Sequence, residues 1–402
     1  MVVGVVGLLA ASALLCSAGA LAQDGHSRHG ADTAGVTAKA PARSRTGLAI
    51  GIGVAPSGTL WAVGVDREGR LFIQTRDDGG REWGLPRLLD IGNDKVAADG
   101  ENRPKLAFGP DQRVVIAYTQ PLAKPYTGEI RMLRSVDGGA TFTPPQTVHQ
   151  DRQVITHRFE SIAFDAAGTL HAVWIDKRDQ VQAPRGGYRG AAIYRNESRD
   201  GGQSFGPDIK LADHSCECCR VALAPTADGR LAAMWRHVFA PNVRDHAFAI
   251  LGTTSATPMR ASFDEWQLDA CPHHGPGLSP ARDGGYHAVW FGEKAGRAAV
   301  RYGQLAADGS PRGAVRELPD PRAEHADVMA SGATLAIVWR SFDGRQSRLR
   351  AWLSSDEGAS FALRELAASE DENDYPRLLS TPVGIRVLWR TAKEIHVIPL
   401  AF

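Results

Sequence analysis

A repeat of about fifty residues runs through most of the chain, and it restricts the folds that this sequence can adopt. Each unit contains an apolar segment, a turn with Gly or Pro, and a second apolar run that ends in an aromatic residue. Clear copies are RPKLAFGPDQRVVIAYTQ, ESIAFDAAGTLHAVWID and CRVALAPTADGRLAAMWRH. Such a unit predicts two antiparallel strands joined by a tight turn. Counted at the first strand, seven units begin near residues 48, 104, 160, 221, 276, 327 and 376.

A third strand follows in most units, and after it comes a second recurring string. The segment SVDGGATF at 135–142 is matched at 198–205 and 354–361, and a looser copy surrounds Asp78. The Asp carboxylate accepts hydrogen bonds from turn amides, Gly supplies a positive φ, and the aromatic ring fills the space beneath the turn. These strings resemble the Asp-box, or BNR, repeat of the sialidase superfamily. The resemblance implies a β-propeller of four-stranded blades with almost no helix.

We therefore predict an all-β chain in which residues 47–402 form an Asp-box β-propeller. The seven first strands favour seven blades, and six blades, the number in sialidases themselves, is the alternative. The last unit ends at Phe402 without a fourth strand, which would leave an exposed sheet edge. Residues 23–46 are polar and lack periodicity, so we interpret them as a flexible arm or as the strand that closes the ring.

The N-terminus predicts export. Residues 1–22 form an apolar run that ends in Ala20-Leu21-Ala22, which fits the small-x-small rule for signal peptidase. No later stretch approaches the ~20 apolar residues of a membrane span. We therefore expect a periplasmic or secreted protein. The balance of 46 Lys and Arg against 45 Asp and Glu argues against nucleic acid or an anionic membrane as a partner.

Four cysteines remain once the predicted signal peptide is removed with Cys16, and they lie in two short segments. HSCECCR and ACPHHGP contain Cys216, Cys218, Cys219, Cys271, His273 and His274. An even number of cysteines in an oxidising compartment favours two disulfides. The alternative is a Cys/His site for a soft transition metal, with copper favoured and zinc second. A redox-active disulfide between the adjacent Cys218 and Cys219 is the third interpretation.

The repeat also predicts where these two segments lie. In a propeller, the loop before each first strand and the loop after each second strand open on the same face, around the central channel. HSCECCR precedes the fourth first strand and ACPHHGP precedes the fifth. We therefore expect the thiols to meet across neighbouring blades at the mouth of the channel.

Arginines recur at the same mouth. The positions that precede first strands or follow second strands include Arg103, Arg158, Arg220, Arg236, Arg340 and Arg390. Together they predict a basic funnel for a carboxylate or another small anion. The alternative is that each guanidinium pairs with a carboxylate of a neighbouring loop.

The resemblance to sialidases implies a catalytic set as well. It consists of arginines on the substrate carboxylate, an Asp general acid, and a Tyr nucleophile activated by Glu. The matching candidates are Tyr375 with Glu372 beside it, and Asp176 as the acid. The Arg-Ile-Pro string of the first arginine is absent from this chain. Two function classes remain: a metal-binding or redox module, and an exo-sialidase-type glycoside hydrolase or glycan-binding protein.

Overall fold

The computed structural model describes residues 47–402, apart from Arg185 and residues 253–257, as seven antiparallel sheets. In this part of the chain the single helix is α1 (Arg178–Gln182). The predicted signal peptide and the predicted arm lie outside the described residues. Among the described residues, no helix has the length and hydropathy needed to cross a membrane.

The first four sheets are blades 1 to 4, and each has four strands that pair in chain order. Blade 1 contains β1 (Gly51–Val54), β2 (Leu60–Val65), β3 (Leu71–Arg76) and β4 (Arg87–Leu88). Blade 2 contains β5 (Lys105–Phe108), β6 (Val114–Pro121), β7 (Gly128–Ser135) and β8 (Gln146–Thr147). Blade 3 contains β9 (His157–Phe164), β10 (Leu170–Asp176), β11 (Ala191–Ser198) and β12 (Ile209–Ser215). Blade 4 contains β13 (Ala222–Pro225), β14 (Leu231–Arg236), β15 (His246–Ile250) and β16 (Met259–Arg260).

The remaining three sheets are blades 5 to 7. Blade 5 contains β17 (Gly277–Pro280), β18 (Tyr286–Lys294), β19 (Arg297–Leu305) and β20 (Pro311–Glu317). Blade 6 contains β21 (Glu324–Ser331), β22 (Thr334–Phe342), β23 (Ser347–Ser354) and β24 (Ala362–Ser369). Blade 7 has three described strands, β25 (Arg377–Thr381), β26 (Gly384–Arg390) and β27 (Ile395–Pro399). The all-β, seven-bladed propeller expected from the repeat is thus confirmed.

The first strands line the centre of the ring. The first strand of each blade contacts the first strand of the next, and β25 contacts β1, so the ring is closed within the described residues. The hydrophobic core lies between neighbouring blades, where Trp174 of β10, for example, packs with Val115 and Ala117 of β6. Six second strands carry such a buried Trp, namely Trp61, Trp174, Trp235, Trp290, Trp339 and Trp389.

Polar contacts join the last blade to the first two. Arg103 and Asp374 form a bidentate ion pair with N···O distances of 2.7 and 3.0 Å, and the Ile50 N–H donates to the same carboxylate at 3.1 Å. At the outer edge, Trp83 Nε1 donates to the Ile395 carbonyl at 3.0 Å. These contacts lie where the last blade of the ring meets the first two.

The Asp-box turns follow the predicted chemistry. Asp137 accepts from the Thr141 N–H at 2.9 Å and from Thr141 Oγ1 at 2.6 Å, while the Gly139 N–H donates to Ser135 Oγ at 2.8 Å. The turns that contain Asp200 and Asp356 repeat this pattern. Gly139 has a φ of +86°, and a Cβ there would lie 2.4 Å from the Trp61 ring of blade 1.

The looser Asp-box copy occupies the corresponding β3–β4 turn but makes a different contact. Its Asp78 pairs with Arg386 of blade 7 at 2.9 Å. The box of blade 1 therefore contributes to ring closure through an ion pair.

Candidate functional site

Three cysteines converge in the connection between β12 and β13, which runs from the outer edge of blade 3 to the innermost strand of blade 4. We call Cys216, Cys218 and Cys219 the thiol trio. The segment is held against the end of β14, because the Cys216 N–H donates to the Arg236 carbonyl at 3.0 Å and the Val238 N–H donates to the His214 carbonyl at 2.7 Å. The end of β14 and the start of β13 lie at the same side of blade 4. The trio is therefore placed at the channel mouth, as the repeat predicts.

The sulfur atoms of the trio form a nearly regular triangle. The Sγ distances are 3.8 Å for Cys216–Cys218, 3.8 Å for Cys216–Cys219 and 4.0 Å for Cys218–Cys219. A disulfide bond is about 2.05 Å long, so none of these pairs is bonded. All four described cysteines are free thiols, and the structure does not show the two disulfides that export favours. The three side chains are 1%, 5% and 2% exposed.

The three thiols of the trio differ in pKa. Hydrogen bonds from the Cys218 and Cys219 thiols hold the pKa of Cys216 well below its ordinary value, and the Arg236 charge acts in the same direction. The hydrogen bond with Cys216 raises the pKa of Cys218, and burial raises that of Cys219. Arg244 Nη1 also donates to Cys216 Sγ at 3.4 Å. These contacts make the pKa of Cys216 the lowest of the three thiols.

Cys271 lies in the next connection, between β16 and β17, and its side chain is exposed. Its thiol interacts with Cys216 and with Cys218, and the contact with Cys216 raises the pKa of Cys271 to about 12. It lies outside the group of three thiols whose sulfur atoms are all within 4.8 Å of one another. The neighbouring loops thus bring Cys271 beside the trio without making it an equal member.

His274 belongs to a second group that could hold a metal ion, together with Glu324 and His325, whose ligand atoms all lie within 4.8 Å of one another. The His274 ring stacks on His325 at a centroid distance of 4.1 Å and on Phe291 at 4.3 Å. His325 Nδ1 lies 3.2 Å from Glu101 Oε1, and Arg340 Nε donates to Glu324 at 2.9 Å. The structure therefore places His274 with blade 6 residues instead of with the cysteines.

The other predicted histidine, His273, is exposed and interacts with Asp99 of the connection that leads into blade 2. Our sequence reasoning did not include Glu324 and His325 among the metal ligands. The adjacent Glu-His pair at the start of the sixth unit was the signal that could have found them.

Five of the six predicted arginines have partners inside the protein. Arg103 pairs with Asp374, Arg220 with Glu101, Arg236 with the His274 and Phe291 carbonyls, Arg340 with Glu324, and Arg390 with the Val65 carbonyl. Arg158 lies over the Phe159 ring at 5.1 Å. Arg103, Arg220 and Arg340 thus pair with carboxylates, as the second interpretation has it. Arg236 and Arg390 donate to backbone carbonyls instead.

Glu101 connects four blades at the centre of the mouth. Its carboxylate accepts two hydrogen bonds of 2.9 Å from Arg220 and one of 3.4 Å from Arg377, in addition to the His325 contact. Burial alone would raise the pKa of Glu101, but the Arg220 charge and the His325 hydrogen bond hold it well below its ordinary range. This network fills the channel mouth with charges that satisfy one another.

The three predicted catalytic residues lie in different surroundings. Tyr375 stacks on His325 at 3.3 Å under the Arg340 guanidinium, and burial raises the pKa of its hydroxyl. Glu372 is exposed. Asp176 is fully buried and accepts hydrogen bonds from Trp174 and Arg178 within blade 3. Among the described residues, no hydrogen bond or ion pair joins Tyr375 to Glu372 or Asp176.

The space beside His274 and His325 is small. A crevice lined by His274, Phe291 and His325 is too narrow to admit a water molecule. A separate cavity of about 180 Å³ lies between Asp264, Lys294 and Glu317, away from the thiols. The crevice therefore offers no room for a sugar ring as it stands.

The fold and the site together define a seven-bladed β-propeller with a buried cluster of three thiols at its channel mouth. Among solved structures, a polysaccharide lyase of the ulvan lyase type matches with a TM-score of 0.56 and 11% identity, over 88% of this chain and 94% of that one. An α-L-arabinofuranosidase from Fusarium graminearum matches with a TM-score of 0.52 and 12% identity, over 79% of this chain and 91% of that one. The NanB sialidase from Streptococcus pneumoniae matches with a TM-score of 0.49 and 10% identity, over 84% of this chain and 82% of that one.

No protein-family model and no curated protein matches the chain. At these identities the structural matches show the fold alone. The lyase and arabinofuranosidase matches confirm the propeller architecture that the Asp-box resemblance implies.

Proposed function

We propose that this protein is an exported propeller that binds a soft metal ion, with Cu(I) favoured, at the thiol trio. The observation that carries the proposal is the convergence of three buried thiols, 3.8–4.0 Å apart, in a chain with five cysteines among 402 residues. Thiolates are the ligands that select soft ions such as Cu(I) and Zn(II) over Mg(II) and Ca(II).

The dimensions of the trio support a shared ion. With a metal–sulfur bond of about 2.3 Å, sulfur atoms lie about 4.0 Å apart in a planar three-coordinate site and about 3.8 Å apart in a tetrahedral one. The three Sγ distances of 3.8, 3.8 and 4.0 Å fall on these values. An ion at the centre would need little movement of the chain.

Coordination number favours copper over zinc. Structural zinc sites are almost always tetrahedral, with four protein ligands. The trio supplies three, and Cys271 does not lie close enough to all of them to be a fourth vertex. Zinc remains the alternative if binding draws Cys271 inward.

The surroundings supply the positive charge that such a site needs. Three thiolates with one Cu(I) carry a net charge of about −2, which is costly to bury without compensation. Arg244 donates to Cys216 at 3.4 Å, and the charge of Arg236 acts on the same thiolate. Both guanidinium groups therefore stabilise the loaded site.

The test is anaerobic titration of the reduced protein with Cu(I) against a chromophoric Cu(I) chelator, followed by metal analysis. We expect one ion per chain, and a Cys218→Ser variant should lose affinity by at least about 100-fold. Ala222→Ser is the matched control, because it introduces a serine at the start of β13, three residues after Cys219, and keeps every thiol. Binding by the wild type no tighter than by Cys218→Ser would overturn the proposal.

Glycan binding or hydrolysis is the second candidate, and the fold similarity favours it. A matched polysaccharide lyase is bound to an oligosaccharide and a matched arabinofuranosidase to arabinobiose. Against it stand the narrow crevice and the separation of Tyr375, Glu372 and Asp176. Assays with fluorogenic sialosides and arabinosides test it, and turnover that is lost in a Tyr375→Phe variant would establish this candidate instead.

A further inference from the structure

The thiols of the two segments differ sharply in their access to solvent. The trio is at most 5% exposed at any of its cysteines, whereas Cys271 is exposed. Arg244 donates to Cys216 Sγ at 3.4 Å and also to the carbonyl of Leu268, three residues before Cys271, so the connection that carries Cys271 lies against the trio. An ion delivered from solution meets Cys271 before it meets the trio.

We propose that Cys271 is the capture ligand of this site: it takes the ion from solution and passes it to the thiol trio. This inference rests on the proposed function. Cu(I) moves between thiolates by associative exchange, in which a new metal–sulfur bond forms before an old one breaks. A surface thiol next to the trio allows each step to occur without exposing the buried ligands.

The transfer balances without any redox change. The Cys271 thiol releases its proton to water as Sγ binds the ion, and the ligand that delivered the ion leaves. Cys216, Cys218 and Cys219 then bind the ion in turn, each releasing any proton on its sulfur to water as the new bond forms, and the bond to Cys271 breaks. The Cys271 thiolate takes a proton from water, and Cu(I) keeps its oxidation state throughout.

The geometry separates this role from that of a permanent fourth ligand. In a tetrahedral site all six sulfur–sulfur distances are about 3.8 Å. The three sulfur atoms of the trio lie within 4.8 Å of one another, and Cys271 is not part of this group. Cys271 lies on a separate connection, the one that leads into β17 of blade 5. It is adjacent to the site and does not complete it.

A kinetic experiment tests the role. The reduced protein is mixed with a Cu(I)–bicinchoninate complex, and loading is followed by the loss of the complex's absorbance. Unloading is followed with excess chelator. A capture ligand lies on the path in both directions, so Cys271→Ser should slow loading and unloading alike, by a factor on the order of ten, and leave the dissociation constant unchanged.

Ala270→Ser, at the adjacent exposed position, is the matched control and should behave as the wild type. Unchanged rates in Cys271→Ser would overturn the capture role. Faster unloading with weaker binding would also overturn it, because that result identifies a permanent ligand. Cys271→Ala, with circular dichroism as a check on folding, guards against an effect specific to serine. If the wild type takes up no Cu(I) and behaves like Cys218→Ser, the proposed function itself is refuted.

Discussion

The replacement of Asp374 by Asn tests whether buried polar contacts close the ring. Asp374 precedes β25 of blade 7, and its carboxylate accepts from Arg103 at 2.7 and 3.0 Å and from the Ile50 N–H at 3.1 Å. The Arg103 and Asp374 side chains are 3% and 2% exposed. The contacts therefore join blades 1, 2 and 7 at a point that solvent does not reach.

The expected loss follows from the charge that remains. Asn keeps the size of the side chain and one acceptor oxygen, but the buried Arg103 loses its counter-ion. Removing one partner of a buried ion pair costs about 3–5 kcal/mol. The negative charge of Glu101 also acts on Arg103 and offsets a part of this. We expect the free energy of unfolding to fall by about 3 kcal/mol.

Urea unfolding, followed by the fluorescence of the nine tryptophans, measures this loss. Glu370→Gln is the control: its pair with Arg345 has side chains 61% and 83% exposed, so the loss should be about 0–1 kcal/mol. Adding Arg103→Met to Asp374→Asn should recover a part of the stability, because no charge is then left buried. A loss in Asp374→Asn no larger than in the control would refute the reasoning.

Three further predictions concern acid stability, the arm and the Asp-box. Because the folded pKa of Glu101 is lowered, its contribution to stability is complete above the ordinary value of 4.5 and is lost as the pH falls below it. Between pH 7 and pH 3, the free energy of unfolding in urea should therefore fall less in Glu101→Gln than in the wild type. An equal fall in the two proteins would contradict this. Deletion of residues 23–46 should lower the melting temperature if the arm supplies the fourth strand of blade 7, and an unchanged value would exclude that strand. Gly139→Ala should lower the free energy of unfolding more than Gly69→Ala does, by a difference on the order of 1–3 kcal/mol. Both glycines have a positive φ, but only at Gly139 would a Cβ lie against a ring, 2.4 Å from that of Trp61. Equal losses would show that the Trp61 ring moves aside at no cost.

The parts of the fold that were predicted from sequence are those whose chemistry is local. The Asp137 carboxylate and its donors lie within four residues, so one turn contains the whole motif. Strands of alternating or continuous apolar residues recur at a regular spacing, and within each blade a strand pairs with the next one along the chain. The blade count followed because the seven first strands could be counted directly.

The candidate site was predicted only in part. Three cysteines within four positions must lie close together, and the repeat placed Cys271 on the neighbouring connection. The partner of His274 was missed, because His325 lies 51 residues further along and reaches it through the packing of blade 5 against blade 6. For the arginines, the sequence left open whether each binds an anion or pairs within the protein, and five of the six have partners in the fold.

The sequence by itself determined the propeller, the Asp-box turns and the concentration of thiols at one mouth, because these features depend on residues a few positions apart or on a repeated period. Only the tertiary structure decided which charges meet. Arg103 and Asp374 are 271 positions apart, and Arg220 and Glu101 are 119 apart. No local pattern selects one carboxylate among 45 Asp and Glu residues for each guanidinium. The closed ring determines the pairs, because it brings the starts of all first strands to one channel. A buried charge there is stabilised only by an opposite charge that the fold places next to it.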